Sequence, residues 1–298
     1  MQVEIYFFSV YLLFIIYMWY FIAFCCVVFA AKQPYIGKIF IYFIYFFMEE
    51  YIAFFDSGIG GLSVLLECQR LLPSYNYIFF SDSKNSPLGN KSLKKITESA
   101  IRNINLLKDK FNIKIIVLAC NTLTSCCIDV LRKKFQDITF VGVEPCIKLV
   151  KDLGYKRALV VSTRATAKYN KTLANYIENQ DVLIGDKNLA TLIEQNKNNI
   201  YRTMPYIAEK YSLYIGKTDC VVLGCTHYVF AKTLFEKLFD CPVFDSNIYV
   251  ARRVGMLAMQ QNLKRGKEII FCDSKDSKEF FCYFNKIAFY SQAKYVII

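Results

Sequence analysis

Two stretches of this 298-residue chain place a cysteine at the end of an apolar run. In "VVLGCTHY", Val221 to Tyr228, Cys225 is followed by Thr226 and by His227, the single histidine of the sequence. "IVLACNTL", Ile116 to Leu123, repeats the shape with Cys120, Asn121 and Thr122. A histidine two residues from a thiol can take its proton or deliver one to a substrate. A thiol just before a helix is acidified by the helix dipole, which is the expectation for Cys120. Asn121 and Thr122 add hydrogen-bonding groups suited to a carboxylate or an ammonium. Either cysteine alone reads equally as a small buried apolar side chain. Two matching copies instead suggest two half-sites, each holding a thiol. Inverting a stereocentre at a carbon acid needs a base on one face and an acid on the other, and facing thiols supply both. A cysteine hydrolase needs one nucleophile, one base and an oxyanion hole, which leaves the second cysteine unexplained.

A third stretch is "FFDSGIGGLSVL". Asp56 and Ser57 open a glycine-rich turn that leads into a helix at Leu62. Glycines there let backbone approach a ligand and present amides at a helix start. The spacing matches neither G-x-x-x-x-G-K-[ST] nor G-x-G-x-x-G, so a phosphate loop is excluded. Without other support, a tight strand-to-helix turn explains it better than a small anion site.

The elements that must hold these residues alternate. Apolar runs at "YIAFF", "YIFFS", "IKIIVLA", "ITFVGV", "RALVVS", "DVLI", "DCVVLG" and "EIIFC" predict strands. Helix-like stretches separate them, at 62–72, 92–111, 124–135, 167–179, 201–214, 229–239 and 248–266. Apolar strands with helical crossovers imply parallel sheet covered on both faces. Ligands of such folds bind at the carboxyl ends of the strands, where every motif above falls. One thiol per lobe divides the chain into 48–145 plus 248–298 as one lobe and 146–247 as the other.

Composition adds bounds. Residues 5–31 carry no charge and exceed the ~20 apolar residues of a membrane span. Segment 1–47 is therefore expected to be a hydrophobic extension, either a membrane anchor or the product of a misassigned start, with Met48 opening the soluble part. The net charge of +12 resides almost wholly beyond it, since 1–47 hold only Glu4, Lys32 and Lys38. The lysines are dispersed and no nucleic-acid motif is present, so no nucleic-acid partner is expected. Twelve cysteines without C-x-x-C pairs, beside one histidine, fit neither a disulfide framework nor zinc. A reduced, cytoplasmic setting is expected.

In "FDSGIGGLSVL", "ACNT" and "GCTHY", taken in order from Met48 to about Tyr290, the chain resembles the glutamate racemases of the aspartate/glutamate racemase superfamily. "CTH" is the glutamate version; aspartate racemases typically carry Glu where His227 stands. The resemblance implies two similar doubly wound, flavodoxin-like α/β lobes with the active site in the cleft between them. It implies an isomerase that needs no cofactor and no metal, and that feeds D-glutamate to peptidoglycan. Cys120 and Cys225 would be the two acid/base residues. Asp56 and Ser57 would contact substrate, Asp56 also near the first thiol. Asn121, Thr122 and Thr226 would hold the α-carboxylate and amino groups, and Thr163 and Thr166 of "VSTRAT" would line the pocket. His227 would tune Cys225, helped by Glu194 of "LATLIEQN". "IIFCDSKDSKEFFCYF" resembles the family's last strand and helix.

Three positions depart from the pattern. Leu88 of "SPLGN" replaces a tyrosine, leaving the backbone at Pro87, Leu88 and Gly89 to serve the substrate side-chain carboxylate. Ser162 replaces a glycine, and Val229 a proline. These bear on efficiency and substrate preference more than on the chemistry. A thiol pKa near ~8.5 lies far below that of an α-proton, so the transition state needs preorganised donors in a dry cleft. The partner expected is glutamate as substrate, with a homodimer left open. The alternatives are a racemase of aspartate or another small diacid, and a non-catalytic binding protein that kept the fold.

Overall fold

The computed structural model describes residues 49–288 and 293–297. The expected extension 1–47 lies outside the described residues. Among the described residues, no helix is long and apolar enough to cross a membrane.

In chain order the strands are β1 (Tyr51–Asp56), β2 (Asn76–Ser81), β3 (Ile113–Leu118), β4 (Thr139–Gly142), β5 (Ala158–Thr163), β6 (Val182–Asp186), β7 (Cys220–Gly224), β8 (Val243–Phe244), β9 (Ile269–Asp273) and β10 (Lys294–Ile297). They form a six-stranded sheet, order β10-β9-β2-β1-β3-β4, and a four-stranded sheet, order β6-β5-β7-β8. Every pairing is parallel. The apolar runs of the central strands have no polar face because neither side of β1, β2, β5, β7 or β9 meets water, whereas β6 and β10 are partly exposed. In the first sheet Ile52, Phe54, Phe79 and Val117 pack to one side, against Leu65, Val254 and Phe284. Their neighbours Ala53, Phe55, Phe80 and Leu118 pack to the other, against Ile96, Ile104 and Leu131. The second sheet divides likewise, with Val161 and Leu223 on one side and Val160 and Val222 on the other.

Each sheet contains the same local order, a second strand, a first, a third and a fourth. The chain therefore reverses its winding direction between β1 and β3, and again between β5 and β7. In doubly wound sheets that reversal opens a crevice at the strands' carboxyl ends. The ends of those four strands are Asp56, Leu118, Thr163 and Gly224, so Asp56, Cys120, Thr163 and Cys225 all sit at the reversal points. After β8 the helix Asn247–Gln260 leads back to the first sheet, where β9 pairs with β2.

Several elements differ from the expectation. The helix predicted over 167–179 is two, Arg164–Tyr169 and Lys171–Tyr176, because the Asn170 side chain accepts from the Leu173 amide at 2.8 Å and starts a new helix. The helix after Cys120 begins at Asn121, three residues earlier than predicted. The stretch after Cys225 is a 3-10 segment, Thr226–Ala231, before the helix Lys232–Phe239. The two thiol motifs thus match in sequence but not in local structure. Helices at Ile147–Asp152 and Leu189–Gln195, and the strands β8 and β10, were not predicted. They are too short for periodicity to register.

Candidate active site

Asp56 is fully buried at the end of β1. Its carboxylate accepts from the Ser57 amide at 2.7 Å and from the Gly61 amide. Burial nonetheless holds its carboxyl up at about 6, with His227 and these two amides pulling the other way. The glycines between serve a purpose different from the ligand approach expected of them. A Cβ on Gly58 would stand 2.6 Å from Glu194 Oε2. One on Gly60 would run into the His227 ring and stand 2.6 Å from Thr226 Oγ1. The turn is bare so that side chains of the second lobe can lie against it.

Cys120 stands at the N-cap of the helix Asn121–Lys134 and is 7% exposed; Cys225 directly follows β7 and is 5% exposed. Both line one cavity of about 260 Å³, together with Ser57, Thr122, Thr163, Glu194 and His227. The expected acidification of Cys120 does not occur. Burial, then the negative charge of Asp56, pushes its thiol well above the ordinary value, and the amides of Leu123 and Thr122 offset only part of this. A helix start stabilises a thiolate where water or a cation assists, and here desolvation outweighs it.

On the other wall, His227 Nδ1 lies 4.0 Å from Cys225 Sγ, and Nε2 lies 2.6 Å from Glu194 Oε2. Burial disfavours the imidazolium, yet Cys225 and Glu194 more than offset it, so His227 is raised well above its usual value. Burial likewise opposes the Glu194 charge, but the bond to His227 wins and its carboxyl falls below the usual range. Glu194 also accepts from the Ile59 amide at 3.3 Å, which ties it to the turn of the first lobe. Cavity and triad together join a thiol kept protonated to a thiol paired with an imidazole.

Three threonines join the lobes, of which Thr122 and Thr163 line the cavity and Thr166 does not. Thr122 and Thr163 hydroxyls are 2.9 Å apart, Thr163 donates to Thr166 at 3.0 Å, and Thr122 lies 3.5 Å from Thr166. Asn121 donates to the Val143 carbonyl at 3.0 Å, leaving its buried Oδ1 without a partner; Thr226 Oγ1 is also buried and unpartnered. Neither residue is among those lining the cavity, although each adjoins a cysteine that does; an unsatisfied buried acceptor and hydroxyl are the kind of group a substrate ammonium and carboxylate would satisfy. Pro87, Leu88 and Gly89 line the same cavity. Pro87 has no amide hydrogen, so a carboxylate there meets only the Leu88 and Gly89 amides. Leu88 is 2% exposed and packs in the first lobe's core. Thr191 and Gln195 line the cavity beside Glu194 and were not foreseen. Their spacing from Glu194 along one short helix is the signal that could have found them. Among the described residues no cluster of ligand side chains suited to a metal occurs.

A parallel two-lobed α/β chain with such a cleft is an amino-acid racemase of the aspartate/glutamate racemase superfamily, an isomerase. No family model matches the sequence. It is 36% identical over 220 residues to the glutamate racemase of Clostridium botulinum, covering 71% of this chain and 85% of that protein. To glutamate racemase 2 of Bacillus subtilis it is 39% identical over 201 residues, 64% of this chain and 75% of that one. The structure superposes on Escherichia coli glutamate racemase, solved with L-glutamate and an activator, with a TM-score of 0.75 at 25% identity over 84% of this chain and 98% of that chain. The chain belongs to the glutamate racemase family.

Proposed function

We propose that this racemase interconverts L- and D-glutamate by moving the α-proton between two thiols, and that it supplies D-glutamate for peptidoglycan from a cytoplasmic location. The observation that carries the proposal is the pair Cys120 and Cys225 on one cavity, one beside Asp56 and the other beside His227. In one direction Cys225, beside the His227 imidazole, acts as the base and Cys120 as the acid. The base takes the α-proton on one face. Cys120 gives its own proton to the opposite face, so one C–H bond breaks and one forms with no net change in the substrate's atoms. The two thiols exchange protonation states, and the reverse substrate uses them in that exchanged form.

Donors stabilise the carbanion-like transition state best when they are fixed before reaction and shielded from water. The Asn121, Thr122 and Thr226 side chains supply such groups for the α-substituents, and the amides of Leu88 and Gly89 take the side-chain carboxylate. A homodimer is compatible with this reading, since both thiols come from one chain.

The test is incubation of the purified, reduced protein with L-glutamate in D₂O, with chelator and no added cofactor. Decay of the circular dichroism signal with deuterium appearing at Cα is the expected result. A flat trace from folded protein excludes glutamate, and aspartate then becomes the substrate to try.

A further inference from the structure

Behind the Cys225 wall lies a buried carboxylate that the chemistry above does not use. Asp186 ends β6 and is 4% exposed. One of its oxygens accepts from the amides of Asn188 at 2.7 Å and Leu189 at 2.9 Å. Tyr206 donates to both oxygens at 2.9 and 3.1 Å, and Tyr211 donates to the second at 2.6 Å. Four neutral groups thus converge on one buried anion. Burying a carboxylate among neutral donors costs folding free energy that an apolar residue would not.

What it positions follows from the chain. Asn188 and Leu189 start the helix Leu189–Gln195, and Asp186 locks that start as an Asx-type turn. Leu189 and Ile193 bury one face of the helix in the second lobe's core with Tyr211, Tyr228 and Phe235. The residue after Ile193 is Glu194, which holds His227 Nε2 at 2.6 Å. Tyr206 and Tyr211 lie on the helix Met204–Tyr211, so Asp186 binds that helix to the one carrying Glu194. Only two turns separate the anchor from the catalytic carboxylate.

We propose that Asp186, with Tyr211, is a positioning element for the Glu194–His227–Cys225 arm. It sets the axial place and rotation of the short helix, and through Glu194 it fixes the imidazole against the thiol. The inference rests on the reading of that arm as catalytic.

The experiment compares D186A, D186N, Y211F and E194Q in the full chain. For each it measures kcat, KM and the pH profile of kcat/KM, with α-proton exchange followed separately from each glutamate enantiomer. A misplaced catalytic group costs tenfold or more in rate, so D186A is expected to lose roughly tenfold or more in kcat with KM changed less. The alkaline limb should move to lower pH, as in E194Q, because His227 loses its carboxylate. D186N should retain more activity than D186A, since the amide oxygen still accepts from Asn188 and Leu189. Parent-like kcat and pH profile in folded D186A, with E194Q impaired, overturn the inference about Asp186 alone. If D186A does not fold, parent-like profiles in D186N and Y211F do the same. Parent-like behaviour of E194Q as well overturns the catalytic reading beneath it.

Discussion

Glu194 and His227 are 33 residues apart in sequence and their Oε2 and Nε2 atoms are 2.6 Å apart in the structure. That bond leaves Nδ1 of the ring facing Cys225. Against the effect of burial, Cys225 and Glu194 together hold His227 above its usual value, so the imidazolium persists at higher pH than a free histidine would. Replacing Glu194 by Gln removes the charge while keeping the size. Turnover is expected to fall by about tenfold or more, and the alkaline limb of kcat/KM to move toward lower pH. Initial rates from pH 6 to pH 10 measure it, and an unmoved limb would show that Glu194 does not govern the imidazole.

Cys120 and Cys225 are both buried, so each can be exchanged for serine with little change in volume. The serine hydroxyl is far too weak an acid to ionise or to deliver a proton in place of a thiol here. C120S and C225S are each expected to abolish racemisation while keeping the parent's far-ultraviolet dichroism. Full turnover by either one would rule out the two-thiol assignment.

The glycine turn gives a third expectation. A methyl group on Gly60 would occupy space held by the His227 ring and would stand 2.6 Å from Thr226 Oγ1. Neither neighbour is the free end of a long side chain, so something in the site must shift. Because displacements near 1 Å can cost about a hundredfold, G60A is expected to lose activity on that order. Its folding stability should fall by only ~1–3 kcal/mol, the usual cost of overpacking. Racemisation assays beside urea unfolding separate the two effects, and a variant with parent-like turnover would mean the contact is not needed.

Much of this was legible in the sequence because parallel strands buried on both faces read as unbroken apolar runs. Chemistry at their carboxyl ends then follows from topology. Cys120, Cys225 and His227 were visible for that reason. What lay beyond reach depends on distant partners. Gly60 reads as part of a tight strand-to-helix turn until His227 is brought against it from the other lobe. Nothing in the sequence singles out Asp186, whose importance appears only when Tyr206 and Tyr211 close over it. The Glu194–His227 pair came from family resemblance, since nothing local to either residue points to the other. The acidity expected of Cys120 failed for a related reason. The helix start is a local feature, whereas the burial and the Asp56 charge that overrule it are properties of the assembled cleft.

Asp56 links the site to stability. Burial holds its carboxyl at about 6, above the ordinary 3.8, so the folded state keeps this proton more tightly than the unfolded chain. The stabilisation is therefore complete below about pH 3.8 and is lost as pH rises through about 6. Its span is on the order of 3 kcal/mol. D56N does not titrate, so its stability relative to the parent is expected to rise between pH 4 and pH 7. Urea unfolding at a series of pH values gives that difference directly, and a difference independent of pH would contradict the assignment.

Thr163 carries two roles that substitution can part. Its hydroxyl accepts from the Thr166 amide at 3.2 Å, capping the helix Arg164–Tyr169, and it meets Thr122 of the first lobe at 2.9 Å. Valine keeps the shape and removes both. Loss of a cap of this kind costs ~1 kcal/mol. With the bridge gone, the hydroxyl of Thr122 loses a neighbour that orients it toward the cavity. If the hydroxyls bind the α-substituents as proposed and take no part in moving the proton, T163V is expected to raise KM for glutamate more than it lowers kcat. Steady-state kinetics on both enantiomers test this. A fall in kcat at unchanged KM would instead place Thr163 among the groups that stabilise the transition state.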